Sequence, residues 1–469
     1  MLEANGWLNL TISGISDWVW TYLLVVALVG CGIYFTVRTR GVQFTMIGEM
    51  FKLLGESSGK THHRHISSFQ AFAVGVATRV GTGNLAGVAT AIAVGGPGAV
   101  FWMWVLALVG ASNAFIESTL AQLFKRHHDG AFIGGPAYYI SQGLKNHRMA
   151  VVFAVLLTLT FGLSYNSIQS NTICSAWHEA FDINPILMGG VLAAVALLIV
   201  FGGIRRIARF SSVIVPVMAI GYLLLTLVIV VLNIDKVPAV FMSIINGAFG
   251  IGPFAGGALG TTIMVGVKRG LFSNEAGEGS VPNVAATATV SHPVKQGLLQ
   301  SLGVFADTLL VCSCTAFIIL LSGVYGTTDS TGIVLTQVAL QNQVGDIGIT
   351  IVAIAIMFFA FSSIIGNYYY GEANIRFLTT RRDVLIVYRI LSAGAMVIFG
   401  AVASLDLVWS IGDLFMALLT ACNLIALVGL GRCAIALLKD YRAQRSNGVA
   451  SPTFHASQMP ELDLDAWQE

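Results

Sequence analysis

The sequence predicts an all-α polytopic membrane protein, and three observations support that fold class. Hydrophobic residues make up 56% of the 469 residues and charged residues only 10%. A soluble domain is roughly 25% charged, so this chain has too few charges to cover a water-exposed surface of its size. The mean hydropathy is +0.79. Apolar runs long enough to span a bilayer recur along the chain, which excludes a soluble enzyme and a disordered protein.

Charge and cysteine usage exclude further classes. The net charge of +2 provides no basic field for a nucleic-acid partner. The six cysteines lie in or beside apolar runs, so we interpret them as buried apolar side chains rather than as disulfides or metal ligands. The chain shows no Ser-His-Asp or metal-ligand spacing. We therefore expect neither an enzyme, nor a bound cofactor, nor an obligate protein partner; the expected partner is the lipid bilayer.

Eleven apolar runs have the length of about 20 residues that a membrane-spanning helix needs. They are Asp17–Val37, Phe69–Val94, Ala99–Phe124, Met149–Ser175, Pro185–Phe201, Ser212–Leu232, Phe254–Ala286, Gln296–Val324, Ile347–Tyr370, Val384–Ala403 and Leu407–Leu438. Glycine interrupts the second run, and glycine, proline and charged residues interrupt the seventh. Because backbone polar groups in lipid need partners, irregular backbone at this depth is expected to line a protein cavity.

Basic residues orient the predicted helices. When alternate loops are assigned to one side, 21 of the 25 lysines and arginines fall on that side. Only Lys236 falls on the other side, and Arg79, Lys268 and Arg269 lie within spans. Positive charge marks cytoplasmic loops. We therefore predict a multi-pass protein of a bacterial-type plasma (inner) membrane, with the N-terminus outside and the C-terminus in the cytoplasm.

A short internal repeat divides the membrane region. RVGTGNLAG (Arg79–Gly87) and RGLFSNEAG (Arg269–Gly277) share an arginine, an asparagine five residues later, and an Ala-Gly pair. Each lies in the first of five consecutive spans, so the repeats would have opposite orientations, as in many transporters. A chance match in glycine-rich sequence is the alternative.

We predict four regions on this basis. An extracytoplasmic N-terminus, an extra helix and a cytoplasmic loop take up residues 1–65. The first five-helix repeat is expected at 66–235 and the second, inverted repeat at 236–440. Residues 441–469 turn polar and then acidic, and we predict a disordered cytoplasmic tail.

The chemistry expected at an interrupted helix follows from its free ends. A helix that restarts at the midplane exposes N–H groups with partial positive charge, which suit a carboxylate. Unwound carbonyls at the end of the first half can coordinate Na⁺. In the second span we place the break near Val80–Gly83, with the N–H groups of Thr82, Gly83 and Asn84 facing a carboxylate. In the seventh span we place it near Leu271–Gly277.

Four strings resemble the alanine or glycine:cation symporter family. They are GGPGAVFWMWVLALVG (Gly95–Gly110), GTGNLAGVATAI (Gly81–Ile92), GLFSNEAGEGS (Gly270–Ser280) and NYYYGE (Asn367–Glu372). The similarity extends over nearly the whole membrane region. It implies a leucine-transporter-type fold, with two inverted five-helix repeats, broken helices 2 and 7, and one extra helix. It also implies sodium-coupled import of small neutral amino acids such as alanine or glycine.

The resemblance also implies site residues. The carbonyls of Ala77 and Val80 correspond to half of a sodium site, and the hydroxyls of Ser362 and Ser363 to the other half, with Na⁺ as the coupling ion. Substrate-binding positions follow from the breaks and from a polar stripe on span 4. They are Thr82, Gly83, Asn84, Tyr165, Asn166, Gln169, Phe272, Asn274, Ser363 and Asn367.

Two departures from the family pattern matter. Many members carry tryptophan where this chain has Asn367, so the size limit on the substrate is open. Arg79 stands where a small or apolar residue is expected, and its charge argues against a second nearby sodium because like charges repel in low dielectric. One of Glu275 and Glu278 is expected to pair with Arg79 or Arg269 and hold the broken helices together; the alternative is that they carry protons.

Other functions remain as alternatives. A proton-coupled symporter of the same fold is one, and a carrier of a larger amino acid such as glutamine is another. A channel would conduct without saturation. A nutrient sensor would bind without transport, but the short tail is too small for an output domain.

Overall fold

The computed structural model describes residues 7–57, 66–128, 130–250, 259–402 and 405–468. These residues are almost entirely helical. The helices are α1 (Thr11–Arg38), α2 (Val42–Thr45), α3 (Ile47–Ser57), α4 (Ser68–Arg79), α5 (Gly83–Gly95), α6 (Gly98–Leu123), α7 (Pro136–Gly143), α8 (His147–Phe181), α9 (Pro185–Val200), α10 (Gly203–Leu232), α11 (Val237–Ala248), α12 (Leu259–Asn274), α13 (Pro282–Ala285), α14 (Val294–Ser322), α15 (Gly332–Val344), α16 (Ile347–Leu378), α17 (Arg382–Ala401) and α18 (Leu405–Ser446). One antiparallel hairpin, β1 (Arg126–His128) with β2 (Ala131–Ile133), follows α6.

Eight helices within the described ranges are long and apolar enough to cross a membrane: α1, α6, α8, α10, α14, α16, α17 and α18. Each coincides with a predicted apolar run. The fifth predicted run is the shorter α9, and the second and seventh correspond to the pairs α4–α5 and α12–α13. The start of the seventh run, at residues 254–258, lies outside the described residues. A mainly helical membrane protein is therefore confirmed, while the count of eleven spans stays a prediction.

The first interrupted helix begins and ends for local reasons. A capping box starts α4, with the Ser67 side chain on the Gln70 N–H and the Gln70 side chain on the Ser67 N–H. At Val80 the backbone leaves the helical region (ψ 88°). Asn84 then competes for backbone donors, because its Oδ1 accepts the Gly81 N–H at 2.8 Å. The helix therefore stops at Arg79 and restarts as α5.

The second interruption is produced by left-handed backbone. Glu275 (φ 55°), Gly277 (φ 95°) and Gly279 (φ 86°) all have positive φ, which a right-handed helix does not permit. Pro282 then opens α13 at a position where its missing N–H costs nothing. The first break falls where the sequence predicts it, whereas the second begins only after Asn274 and extends past the predicted Leu271–Gly277 to Pro282.

Several segments of regular structure escape the count of apolar runs, among them three short helices. Helices α7, α11 and α15 have only 8, 12 and 13 residues, which is too short to span. They lie in stretches that the sequence presents as loops between spans. A short amphipathic helix contributes no long apolar run, so a hydropathy count does not detect it.

The C-terminal segment is packed, which corrects the prediction of a disordered tail. Trp467 is 6% exposed, and its indole N–H donates to the carbonyl of Gln122 at 3.0 Å. The Phe454 N–H donates to the carbonyl of Ser291 at 2.8 Å. Average composition concealed three apolar anchors, Phe454, Leu464 and Trp467, in an otherwise polar tail. A few well-placed aromatic side chains suffice to order such a segment.

Candidate functional site

The two helix breaks touch each other inside the bundle. A Cβ on Gly83 would lie 2.9 Å from the Cα of Ser273, so glycine permits the close approach. Arg79, at the end of α4, donates from Nε to the carbonyl of Asn274 at 2.7 Å and from Nη1 to the carbonyl of Gln300 at 3.0 Å. The free carbonyl end of α12 is thus bound by the last residue of α4.

At the first break, backbone N–H groups donate to side chains instead of to backbone carbonyls. The Gly81 N–H bonds to Asn84 instead of continuing the helix, and the Thr82 N–H donates to Gln169 Oε1 at 2.9 Å. The carbonyls of Ala77 and Val80 are thereby released from the helical ladder. The structure brings Gln169 to the break as predicted, but as a partner of the Thr82 amide.

The released carbonyls meet two hydroxyls of α16. Ser363 Oγ donates to the carbonyl of Ala77 at 2.9 Å and lies 3.5 Å from that of Val80. Ser362 Oγ lies 3.4 Å from the Ala77 carbonyl. All four residues are buried. Neutral oxygens from a carbonyl-lined break and from hydroxyls form the kind of ligand set that suits a hard monovalent cation.

Aromatic rings form one wall beside the breaks. The ring of Phe272 packs against Tyr165 with centroids 4.7 Å apart and against Trp409 at 4.6 Å. The Tyr165 hydroxyl donates to Glu278 Oε1 at 3.0 Å. The predicted residues Tyr165 and Phe272 therefore lie together, and Trp409 joins them from α18.

Asn367 is one helical turn after Ser363 on α16. It is 1% exposed, and neither its amide nitrogen nor its amide oxygen has a hydrogen-bond partner among the described residues. The Thr82 hydroxyl is in the same situation. Buried polar atoms are nearly always paired, so these atoms have hydrogen-bonding capacity left for a polar ligand.

Two predicted substrate residues have other partners. Asn166 turns toward α17, where its amide nitrogen donates to Ser392 Oγ at 3.2 Å. Asn274 lies at the second break and caps it, with Oδ1 accepting the Ala276 N–H at 3.0 Å. The structure thus does not bring Asn166 to the break, and it gives Asn274 a structural task.

Sequence reasoning assigned no role to Asp307 and did not single out Ser273. Asp307 Oδ1 accepts from Asn84 Nδ2 at 2.7 Å, and Oδ2 accepts from Ser273 Oγ at 2.8 Å. One buried carboxylate of α14 therefore bridges both breaks. The available signal was a carboxylate within an apolar span, which is costly unless it has a function.

Helical geometry is irregular where these residues lie. Turns of π-helix, in which hydrogen bonds join residues five apart, occur at Gly83–Gly87, Thr160–Tyr165 and Phe305–Cys312. They contain Asn84, Tyr165 and Asp307. Such turns are frequent at functional sites because they rotate side chains out of the regular pattern.

The expected pairing of Glu275 or Glu278 with Arg79 or Arg269 is wrong. Arg269 pairs with Asp413 of α18, with Nη2 2.5 Å from Oδ2, and the Lys268 ammonium lies 3.3 Å from the same oxygen. Arg79 bonds to carbonyls, and no ion pair within the described residues joins it to Glu275 or Glu278. Charge type alone could not identify Asp413, which is 144 residues from Arg269 in the chain.

The fold and the site define a membrane transport protein: a helical bundle with two interrupted helices whose free ends meet among buried polar side chains. The chain belongs to the sodium:alanine symporter family, whose profile matches residues 5–456. It is accordingly a multi-pass Na⁺-coupled amino-acid symporter and not an enzyme.

The chain is similar to curated relatives over nearly the full length of both sequences. The chain is 48% identical over 440 residues to the probable sodium/glutamine symporter GlnT of Bacillus subtilis, covering 94% of this chain and 92% of that protein. It is 37% identical over 447 residues to the sodium/alanine symporter AgcS of Methanococcus maripaludis, covering 93% and 98%. A solved structure of a Na⁺-coupled sialic acid symporter aligns with a TM-score of 0.49 at 13% identity over 86% of each chain.

Proposed function

We propose that this chain imports small neutral amino acids, alanine and/or glycine, together with Na⁺. The observation that carries the proposal is the oxygen cluster of Ala77, Val80, Ser362 and Ser363 beside the restart of α5. Hydroxyl and carbonyl oxygens do not titrate in the physiological range, which favours Na⁺ over H⁺ at this position. Membership of the sodium:alanine symporter family supports the same substrate class.

Substrate and ion would occupy neighbouring places. The amino-acid carboxylate would bind at the N-terminal end of α5, near Thr82, Gly83 and Asn84, where helix geometry supplies partial positive charge. Na⁺ would bind at the carbonyl end of α4. Each ligand then favours the state that the other binds, and this coupling biases the exchange between outward-open and inward-open states.

One Na⁺ per cycle is our proposal. The Arg79 guanidinium lies between the end of α4 and the carbonyls of Asn274 and Gln300. Its fixed positive charge would repel a second cation bound next to the same break. The two five-helix repeats would be the bodies that rock against each other, with the breaks at their common centre.

Contacts of the C-terminal segment support the proposed topology. The segment binds the loop before α14 through Phe454, the end of α6 through Trp467, and β1 through an Asp465 oxygen that accepts the His127 N–H. All of these loops were assigned to the cytoplasmic side from their basic residues. We therefore propose an outside N-terminus and a cytoplasmic C-terminus in the inner membrane.

A second candidate substrate is glutamine. Asn367 places an unpaired neutral amide beside the proposed site, and a side-chain amide offers the matching donor and acceptor. The similarity to a protein named as a probable sodium/glutamine symporter agrees with this candidate.

Uptake by proteoliposomes tests the proposal. Labelled alanine, glycine and glutamine are offered under an inward Na⁺ gradient, under a proton gradient and under neither. Accumulation above equilibrium that requires Na⁺ supports symport, and the most concentrated amino acid identifies the substrate. Uptake that never saturates would indicate a channel, and binding without uptake would indicate a sensor; either would overturn the proposal.

A further inference from the structure

Three glutamates surround the second helix break, and the transport scheme above uses none of them. Glu117 of α6 and Glu278 are 0% exposed, and Glu275 is 2% exposed. Removing an ionised carboxylate from water costs several kcal/mol even after relaxation. Each of these three side chains therefore needs either strong partners or a proton.

Glu117 and Glu275 have hydrogen-bond donors. Glu117 accepts the Gly277 N–H at 3.3 Å and the Asn423 side-chain amide at 3.0 Å, one donor at each oxygen. Glu275 Oε2 accepts from the Ser280 hydroxyl at 2.5 Å. Backbone and side-chain donors of this kind stabilise a carboxylate in place.

Glu278 is different. Its Oε1 accepts the Tyr165 hydroxyl at 3.0 Å, but its Oε2 is buried without any hydrogen-bond partner among the described residues. No lysine, arginine or histidine nitrogen in the described part of the chain lies within ion-pair distance of it, whereas the buried acids Asp413 and Glu372 have such partners. Glu372 lies 2.8 Å from Arg376 and 3.5 Å from Arg389.

The two other glutamates near Glu278 also disfavour a negative charge on it. They are Glu117 of α6 and Glu275 of the same segment, and the Tyr165 hydroxyl of α8 supplies only one hydrogen bond in compensation. The cation of α4, Arg79, donates to backbone carbonyls instead. Like charges in a low-dielectric site cannot all remain ionised.

We propose that Glu278 is a proton-binding site of the symporter, loaded in the conformation described here. The proton comes from water on one side of the membrane, binds a carboxylate oxygen, and returns to water on the other side when the break around Glu278 becomes hydrated. Tyr165 connects this site to the ring of Phe272 and so to the substrate position. The proposal rests on the proposed function, because it adds a second ion to the same transport cycle.

Infrared spectroscopy tests the site without any transport. A protonated buried carboxyl has a C=O stretch that an ionised one lacks. We expect the purified protein at neutral pH to show this band, and Glu278→Gln to weaken it. Glu372→Gln is the matched control: this buried glutamate has two arginine partners, so the band should persist in that variant. Full retention of the band in Glu278→Gln would overturn the proposal.

Transport provides the second readout. In proteoliposomes with a fixed Na⁺ gradient, an inward proton gradient should raise uptake by the wild type and by Glu372→Gln. Glu278→Gln should take up substrate at the level seen without the proton gradient. If Glu278→Gln responds to the proton gradient as the wild type does, the proton site is wrong while Na⁺ symport stands. If the wild type shows no Na⁺-driven uptake, the proposed function fails independently of the infrared result.

Discussion

Ser363 connects α16 to the unwound end of α4 through a single hydroxyl. It donates to the carbonyl of Ala77 at 2.9 Å, and a neutral hydroxyl oxygen retains lone pairs for a cation. We expect Ser363→Ala to raise the Na⁺ concentration for half-maximal uptake about tenfold, since an ion–dipole contact of this kind contributes roughly 1.5–3 kcal/mol. Uptake measured against external Na⁺ checks this expectation.

Ser170→Ala is the control for that experiment. Ser170 is also buried, and its hydroxyl donates to the carbonyl of Met396 at 2.9 Å, away from the breaks. Its removal should leave the Na⁺ dependence unchanged. An equal shift in both variants would mean that loss of any buried hydroxyl disturbs the bundle, and the sodium site at Ser363 would be wrong.

We expect the unpaired amide of Asn367 to lower the stability of the fold and to contribute to ligand recognition. Both of its polar atoms are buried without partners among the described residues, and each such atom costs about 1–3 kcal/mol. Asn367→Leu, of similar volume, should therefore raise the thermal unfolding temperature while lowering glutamine uptake relative to alanine uptake by about tenfold. Thermal unfolding and a two-substrate uptake assay give the two readouts.

A matched asparagine provides the comparison. Asn171 of α8 is buried, and its amide nitrogen donates to the carbonyl of Gly400 at 2.9 Å. Asn171→Leu should lower stability, because it removes a satisfied group, and should not change substrate preference. A higher unfolding temperature for Asn171→Leu than for Asn367→Leu would contradict the role assigned to Asn367.

The places of the site residues were predictable where the family resemblance assigns them, but not where they depend on how helices pack. Ser362, Ser363, Ala77 and Val80 meet as the family resemblance implies. Asn166 does not join them, because it faces Ser392 of α17. Which neighbour a polar side chain meets depends on packing between helices, and one sequence does not contain that information.

At the scale of elements, the crossing of α4 with α16 depends on the absence of a side chain at Gly81. A Cβ there would lie 2.3 Å from Ser363 Oγ and 2.9 Å from Gln169 Oε1. Gly81→Ala must therefore push both side chains out of place, at a cost of about 1–3 kcal/mol for overpacking. We expect uptake to fall at least tenfold, and flux at saturating Na⁺ and substrate measures it.

Gly87→Ala tests whether that effect is local. The nearest atom to a Cβ on Gly87 would be the Thr82 carbonyl oxygen at 3.8 Å, an ordinary contact. Uptake by this variant should remain near the wild-type level. Equal losses in both variants would show that α5 tolerates no added methyl group anywhere, and the argument from the crossing would fail.

The long helices and the breaks were predictable for different reasons. A run of about 20 apolar residues has one low-energy form in lipid, a helix, so composition determines it. The breaks needed a second signal, namely glycine and charge inside apolar runs. Contact between Gly83 and Ser273 is a property of two elements 190 residues apart and follows from neither segment alone.

At the scale of the whole molecule, the C-terminal segment joins elements that are distant in sequence. Phe454 lies against the ring of His292, whose Nε2 is 3.1 Å from Asp440 Oδ2. His292 has 0% side-chain exposure. The predicted disorder was wrong because charge content describes the average of a segment, whereas docking depends on a few apolar side chains.

Burial gives this junction a defined acid sensitivity. It lowers the pKa of His292 from 6.5 to about 4, although the hydrogen bond and charge of Asp440 oppose the shift. The unfolded chain therefore takes up a proton near pH 6.5 that the folded chain takes up only near pH 4. Stability is complete above pH 6.5 and is lost progressively as the pH falls to 4. The loss reaches roughly 3.5 kcal/mol, at about 1.4 kcal/mol per pKa unit.

Thermal unfolding of the detergent-solubilised protein between about pH 7.5 and 4, a range that covers histidine titration, measures that loss. His292→Gln cannot titrate, so its unfolding temperature should fall less between these pH values than that of the wild type. His147→Gln, at an exposed position, should follow the wild-type curve. If His292→Gln and the wild type lose stability in parallel, other groups cause the acid sensitivity, and the junction between the C-terminal segment and the bundle does not contribute to it.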